Sequence, residues 1–127
     1  MSIDQKVLEQ HIRDKKPLPE IEEIYRYIAK TNSREGTKIC DKSRGYLTAI
    51  GFCKDGDYLY GATLNQKWIL WYFRKPALEK GRIDEAETMM RFPHAIPKDR
   101  YGEIKLRIHD LKTAEKVLRF IGVAQMR

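Results

Sequence analysis

The chain has 127 residues, 42% of them hydrophobic and 34% charged, and its 25 Lys and Arg outnumber 18 Asp and Glu for a formal net charge of +7. That is one domain's worth of chain with enough apolar mass for its own core, and its aromatic content separates it from disordered sequences. The longest apolar run, Trp68 to Phe73, has six residues, far fewer than the roughly 20 that cross a bilayer. The N-terminus lacks the basic and apolar regions of a secretory signal, and the two cysteines form no CxxC pair. A cytoplasmic protein without a membrane segment, a disulfide framework or a zinc site is expected, and no cofactor is called for.

Taken in order, Ser2 and Gln5 form a capping-box pattern ahead of Ile3, Val7, Leu8 and Ile12, which predicts a first helix over 3–13. Pro17 and Pro19 end it, and Pro19 suits the first turn of a second helix. There Ile21, Ile24, Tyr25, Ile28 and Ala29 make an unbroken apolar stripe. Acidic residues open this helix and Arg26 and Lys30 close it, complementing its dipole.

Residues 31–44 are small, polar and basic with no apolar period, and read as a long loop of the kind that is often functional. It contains Cys40. Residues 24–54 carry 7 basic and 2 acidic groups, so most of the positive excess lies here.

Tyr46 to Cys53, the Asp55-Gly56 turn and Tyr58 to Leu64 spell a β-hairpin. Alternation places Tyr46, Thr48, Ile50 and Phe52 on one face of the first strand, and Tyr58, Tyr60, Ala62 and Leu64 on one face of the second. Cys53 reads as a buried thiol. The run 67–73 has no clear period; its β-branched and aromatic bias favours a third strand over a short helix, and Pro76 stops it.

Asp84 and Glu87 open a short helix over 85–91, and an irregular link with Pro93, Pro97 and Gly102 follows. Residues 103–108 alternate polar and apolar as a half-buried strand with a charged outer face. Asp110 caps a last helix that turns Leu111, Ala114, Val117, Leu118 and Ile121 inward and stops at Gly122. The whole is a single α+β domain, residues 1–127, in the order α-α-β-β-β-α-β-α: a helical segment over 1–31, a β-meander over 45–74 and an α-β-α segment over 84–122. Its sheet is mainly antiparallel, with the helices packed on one face.

The loop's cations, hydroxyls and glycines are groups that hold phosphates, although the P-loop spacing is missing. Beside it stand many rings, and exposed rings flanked by Lys and Arg are how sheets bind single strands. The site expected on this ground consists of Arg34, Lys38, Lys42, Arg44, Tyr46, Tyr58, Tyr60, Arg74 and Lys75, in a noncatalytic protein that contacts DNA or RNA. No RNA-recognition-motif signature occurs in the chain.

An alternative is a protein-interaction or homodimer module anchored by Trp68, Trp71 and Tyr72. A third is a metal-dependent nuclease built on Asp57, Glu103 and Lys105. His11, His94 and His109 read as separate surface histidines, although His94 and His109 could serve as an acid/base pair if the fold joined them.

Overall fold

A computed structural model describes residues 3–31 and 37–122. Helix α1 (Gln5–Lys15) begins behind Asp4, whose carboxylate accepts the Lys6 N–H at 2.7 Å. The observed cap therefore lies two residues past Ser2, which falls outside the described residues, and the helix runs later than the capping pattern predicted. Helix α2 (Pro19–Lys30) starts on its proline as expected and buries Ile21, Ile24, Tyr25, Ile28 and Ala29. Arg26 clamps the two helices together, bonding Glu9 at 2.6 and 2.9 Å and Glu22 at 3.0 Å. The Arg26 hydrogen bonds hold the Glu9 carboxyl down to about 2. Part of the positive excess of residues 24–54 is thus neutralised inside the helical layer.

Five strands, β1 (Lys38–Asp41), β2 (Ala49–Lys54), β3 (Asp57–Leu64), β4 (Ile69–Phe73) and β5 (Ile104–Ile108), form one antiparallel sheet in sequence order. Helices α3 (Lys75–Glu79) and α4 (Glu85–Arg91) lie between β4 and β5, and α5 (Leu111–Phe120) follows. The expected α-α-β-β-β-α-β-α order stands, with β1 and the short α3 added to it. Strand β1 corrects the reading of 31–44 as a structureless loop. It pairs Ile39 with Phe52 across the ladder, and a four-residue strand with one core residue carries too little periodicity to be seen in the sequence.

One face of the sheet is the core. Ile39, Phe52, Tyr60, Phe73 and Ile104 form one row across the strands, and Ile50, Ala62, Trp71 and Leu106 form the next. Helices α1, α2 and α5 pack over this face, with Phe120 edge-on to Phe73 at 6.1 Å. Each large side chain so buried contributes about 1.5–3 kcal/mol. The Trp71 indole N–H is buried without a hydrogen-bond partner among the described residues.

The register of β2 and β3 slips at one point. Cys53 pairs with Tyr58 while Phe52 pairs with Tyr60, which leaves Leu59 as the extra residue of a β-bulge. Strict alternation would have put Tyr58 and Tyr60 on one face. The bulge instead turns Tyr60 into the core and Tyr58 onto the opposite face.

Candidate nucleic-acid interface

The face opposite the helices is paved with small residues. Gly51 and Gly61 pair directly, and neither has room for a side chain, because the Tyr58 ring lies across both and the Lys42 stem also lies against Gly51. A Cβ on Gly51 would stand 2.7 Å from Tyr58 Cε1, and the Tyr58 hydroxyl fills the place of one on Gly61. Burial against the sheet, only partly offset by nearby Arg74, pushes the Tyr58 phenol up to about 12, so it stays neutral at physiological pH.

Cations stand over this ring. The Arg74 guanidinium carbon is 4.1 Å and the Lys42 ammonium 4.9 Å from its centroid. Arg74 is fixed there by bonds from Nε to Glu103 at 2.9 Å and from Nη1 to the Tyr58 carbonyl at 2.8 Å. Two further ring–cation pairs occupy the same sheet face. Arg107 stands over Trp68 at 4.5 Å, and Lys105 over Tyr72 at 5.9 Å, where Tyr72 and Lys105 are ladder partners. The rings thus carry cations instead of presenting bare faces, and the outer plane of a ring-backed guanidinium is itself a surface on which bases stack.

The hairpin between β1 and β2 adds one uncovered ring. Arg44 and Leu47 exchange both backbone hydrogen bonds at 2.9 Å around a two-residue turn, with Gly45 at φ 60° supplying the positive φ that such turns require. Tyr46 sits at the tip with 97% of its surface exposed. Arg44 flanks it, also exposed.

Of the nine residues expected at the site, Lys42, Tyr58 and Arg74 meet in one cluster. Lys38 is exposed on β1 two residues from Cys40 and shares the face of Lys42, while Arg44 and Tyr46 form the hairpin tip. Lys75 opens α3, pairs with Glu79 at 3.9 Å and lays its stem against Gly102. Tyr60 does not belong to the site. It is 4% exposed and stacks on Trp71 at 6.1 Å in the core. Arg34 lies outside the described residues.

Sequence reasoning missed the ring–cation pairs of Trp68 with Arg107 and Tyr72 with Lys105 as parts of this site. The signal was present in the alternation of 103–108, which turns Lys105 and Arg107 outward, but the β4–β5 register that aligns them with the rings is a tertiary fact.

The other constellations resolve differently. Trp71 is fully buried, so it cannot anchor a partner, whereas Trp68 and Tyr72 remain half-buried on the open face. Asp57, Glu103 and Lys105 are each spent on a separate ion pair, with Lys80, Arg74 and Asp99 respectively. Among the described residues no three His, Cys, Asp or Glu side chains gather as a metal site. Cys40 sits in β1, not in a loop, and Cys53 is half-buried. Burial, together with a hydrogen bond to Cys53, pushes the Cys40 thiol up to about 12, which leaves it a poor nucleophile.

His11 is not on the surface as the sequence suggested; it is 3% exposed between α1, α2 and β1. Its Nδ1 meets the Tyr25 hydroxyl at 2.7 Å, and its Nε2 meets the Ser43 hydroxyl, with Asp41 at 3.6 Å. Burial lowers the His11 pKa against the pull of Asp41. Ser43 is exposed and bonded to an imidazole, but the Asp41 carboxylate favours a proton on the same nitrogen that would have to accept one from Ser43. The cluster therefore ties α1 and α2 to the β1 edge and does not activate a nucleophile.

No protein-family model matches the chain, and no curated protein or solved structure is significantly similar to it. Among the described residues no helix is long and apolar enough to cross a membrane.

Proposed function

We propose that this is a small noncatalytic protein that binds single-stranded nucleic acid across the open face of its sheet. The observation that carries the reading is the placement of Arg74 and Lys42 over Tyr58, which itself lies across two glycines, with Arg107 on Trp68 on the same face. In this reading the cations meet phosphates, guanidinium planes and the exposed Tyr46 ring stack on bases, and the open sheet takes a flexible strand in preference to a rigid duplex. Lys38, Lys42, Arg44 and Arg107 make no ion pair with a carboxylate among the described residues, so they supply most of the net attraction. Free thiols at Cys40 and Cys53 suit a reducing cytoplasm.

The test is fluorescence anisotropy of a labelled oligonucleotide with the wild-type chain and a Lys42→Glu/Arg44→Glu/Arg107→Glu variant. Loss of binding in the variant, with its melting temperature unchanged, supports the reading; unchanged binding rejects it. A protein partner is the second reading, favoured by the exposed apolar pair Tyr46 and Leu47 at the hairpin tip. A complex lost on Tyr46→Ala but insensitive to the charge reversal would select it.

A further inference from the structure

A second concavity lies beside β5, where α4, the 93–97 segment and α5 enclose a cleft of about 610 Å³. That volume falls in the range of small-molecule sites. Its apolar lining comes from Phe92, Ile96 and Leu106. Its polar lining brings together His94 and His109, which sequence spacing had left apart, with Arg91, Arg107 and Lys116. Asp110 is the one carboxylate lining the cleft, and its Oδ1 is engaged by the Thr113 N–H at 2.7 Å. Three permanent cations thus face one carboxylate.

These groups are not equally available. Arg91 pairs with Glu87 at 3.5 Å, which reduces its pull on a ligand. Lys116 gives one N–H to the Arg91 carbonyl at 2.7 Å, leaving two of its three donors. Arg107, stacked on Trp68, has no carboxylate partner among the described residues, and His109 lies beside the same indole at 6.4 Å. Lys116 also stands over the Phe92 ring at 5.1 Å, and Phe92 and Leu106 are nearly buried, so Ile96 is the apolar side chain most open to a ligand. Cations and apolar surface line one cleft, so a bare phosphate would use only part of the site and an uncharged ring only the rest.

We propose that this cleft binds a nucleoside monophosphate, free or as the phosphorylated end of a strand, with the base against Ile96 and the exposed edges of Phe92 and Leu106 and the phosphate held by Arg107, Lys116 and the two histidines. The site shares Arg107 with the sheet-face reading and otherwise uses different residues.

The test is titration of the isotope-labelled protein with AMP, adenosine and inorganic phosphate, followed by amide chemical shifts. AMP is expected to give saturable shifts at His94, Leu106, His109 and Lys116, with adenosine and phosphate each weaker by about tenfold or more. His109→Ala and Lys116→Gln are expected each to weaken AMP by about fivefold or more at unchanged melting temperature, while Lys42→Glu leaves AMP binding intact. Equal binding of adenosine, shifts confined to the sheet face, or wild-type AMP affinity in both cleft variants would overturn the proposal. Failure of the sheet-face reading shows itself separately, as oligonucleotide affinity left unchanged by Lys42→Glu/Arg44→Glu, which spares the shared Arg107. A 5′-phosphorylated oligonucleotide that shifts the cleft resonances where its 5′-hydroxyl form does not would identify the strand end as the source of the phosphate.

Discussion

The Tyr58 ring rests on Gly61 so closely that its hydroxyl occupies the space of the missing Cβ. The contact exists only because a bulge between Phe52 and Cys53 turns Tyr58 away from the core. The cluster of Lys42, Tyr58 and Arg74 depends on this placement, because both cations lie over that ring.

Gly61→Ala is therefore expected to destabilise the fold by about 1–3 kcal/mol, as overpacking does. Tyr58→Phe removes the colliding hydroxyl while keeping the ring, so the double variant should recover part of that loss. A double-mutant cycle in urea measures the coupling; strictly additive effects would mean that Tyr58 lies elsewhere.

The rings divide into core and surface, and stability measurements should separate them. Trp71→Ala is expected to cost about 3–5 kcal/mol, because the side chain is fully buried. Tyr46→Ala, at the exposed tip, should change stability by less than about 0.5 kcal/mol and weaken oligonucleotide binding by about 1–3 kcal/mol of stacking. Loss of stability on Tyr46→Ala would contradict its placement.

Glu103 distinguishes binding from metal-dependent catalysis. It holds Arg74 at 2.9 Å and belongs to no metal-binding cluster among the described residues. Glu103→Gln should leave Arg74 over Tyr58, remove a local negative charge and tighten oligonucleotide binding a few-fold at low salt. Weaker binding, or loss of a magnesium-dependent cleavage, would contradict the assignment.

His11 sets a pH dependence of stability. Burial lowers its pKa in the folded chain below the value of about 6.5 that it regains on unfolding. The unfolded chain therefore binds more protons between the two values, and its stabilising contribution is complete above about 6.5 and lost as pH falls toward the folded pKa. Urea midpoints should accordingly drop between pH 7.5 and pH 5, with sign set by the His11 shift. His11→Asn should flatten that part of the profile while lowering stability throughout, since Tyr25 loses its partner.

Much of this architecture is legible in the sequence because local signals agree with the tertiary result. The stripe Ile21, Ile24, Tyr25, Ile28 and Ala29 is buried as its spacing demands, Asp84 and Asp110 cap the helices they precede, and Ile104, Leu106 and Ile108 alternate into the core. What escaped is what depends on partners distant in sequence. Strand β1 forms because Ile39 finds Phe52, and Tyr58 changes face because one residue of β3 is left unpaired. His94 and His109 share a cleft only because Ile96 bridges to Lys105 and α5 folds back against β5. At the site, residue type pointed to Lys42, Tyr58 and Arg74, but it could not tell Tyr58 from Tyr60, since a bulge leaves no mark in an alternating run of aromatics.

The most direct test of the central claim is the salt dependence of binding to a single-stranded oligonucleotide, compared with a duplex of the same sequence. If Lys38, Lys42, Arg44 and Arg107 each neutralise a phosphate, the logarithmic slope is about −3 and affinity falls roughly 50-fold between about 50 and 200 mM salt. The single strand should show that slope and bind more tightly than the duplex, and reversing Lys42 and Arg107 to Glu should make the slope shallower. A slope near zero, or single-strand binding that the reversal leaves unchanged, would contradict it.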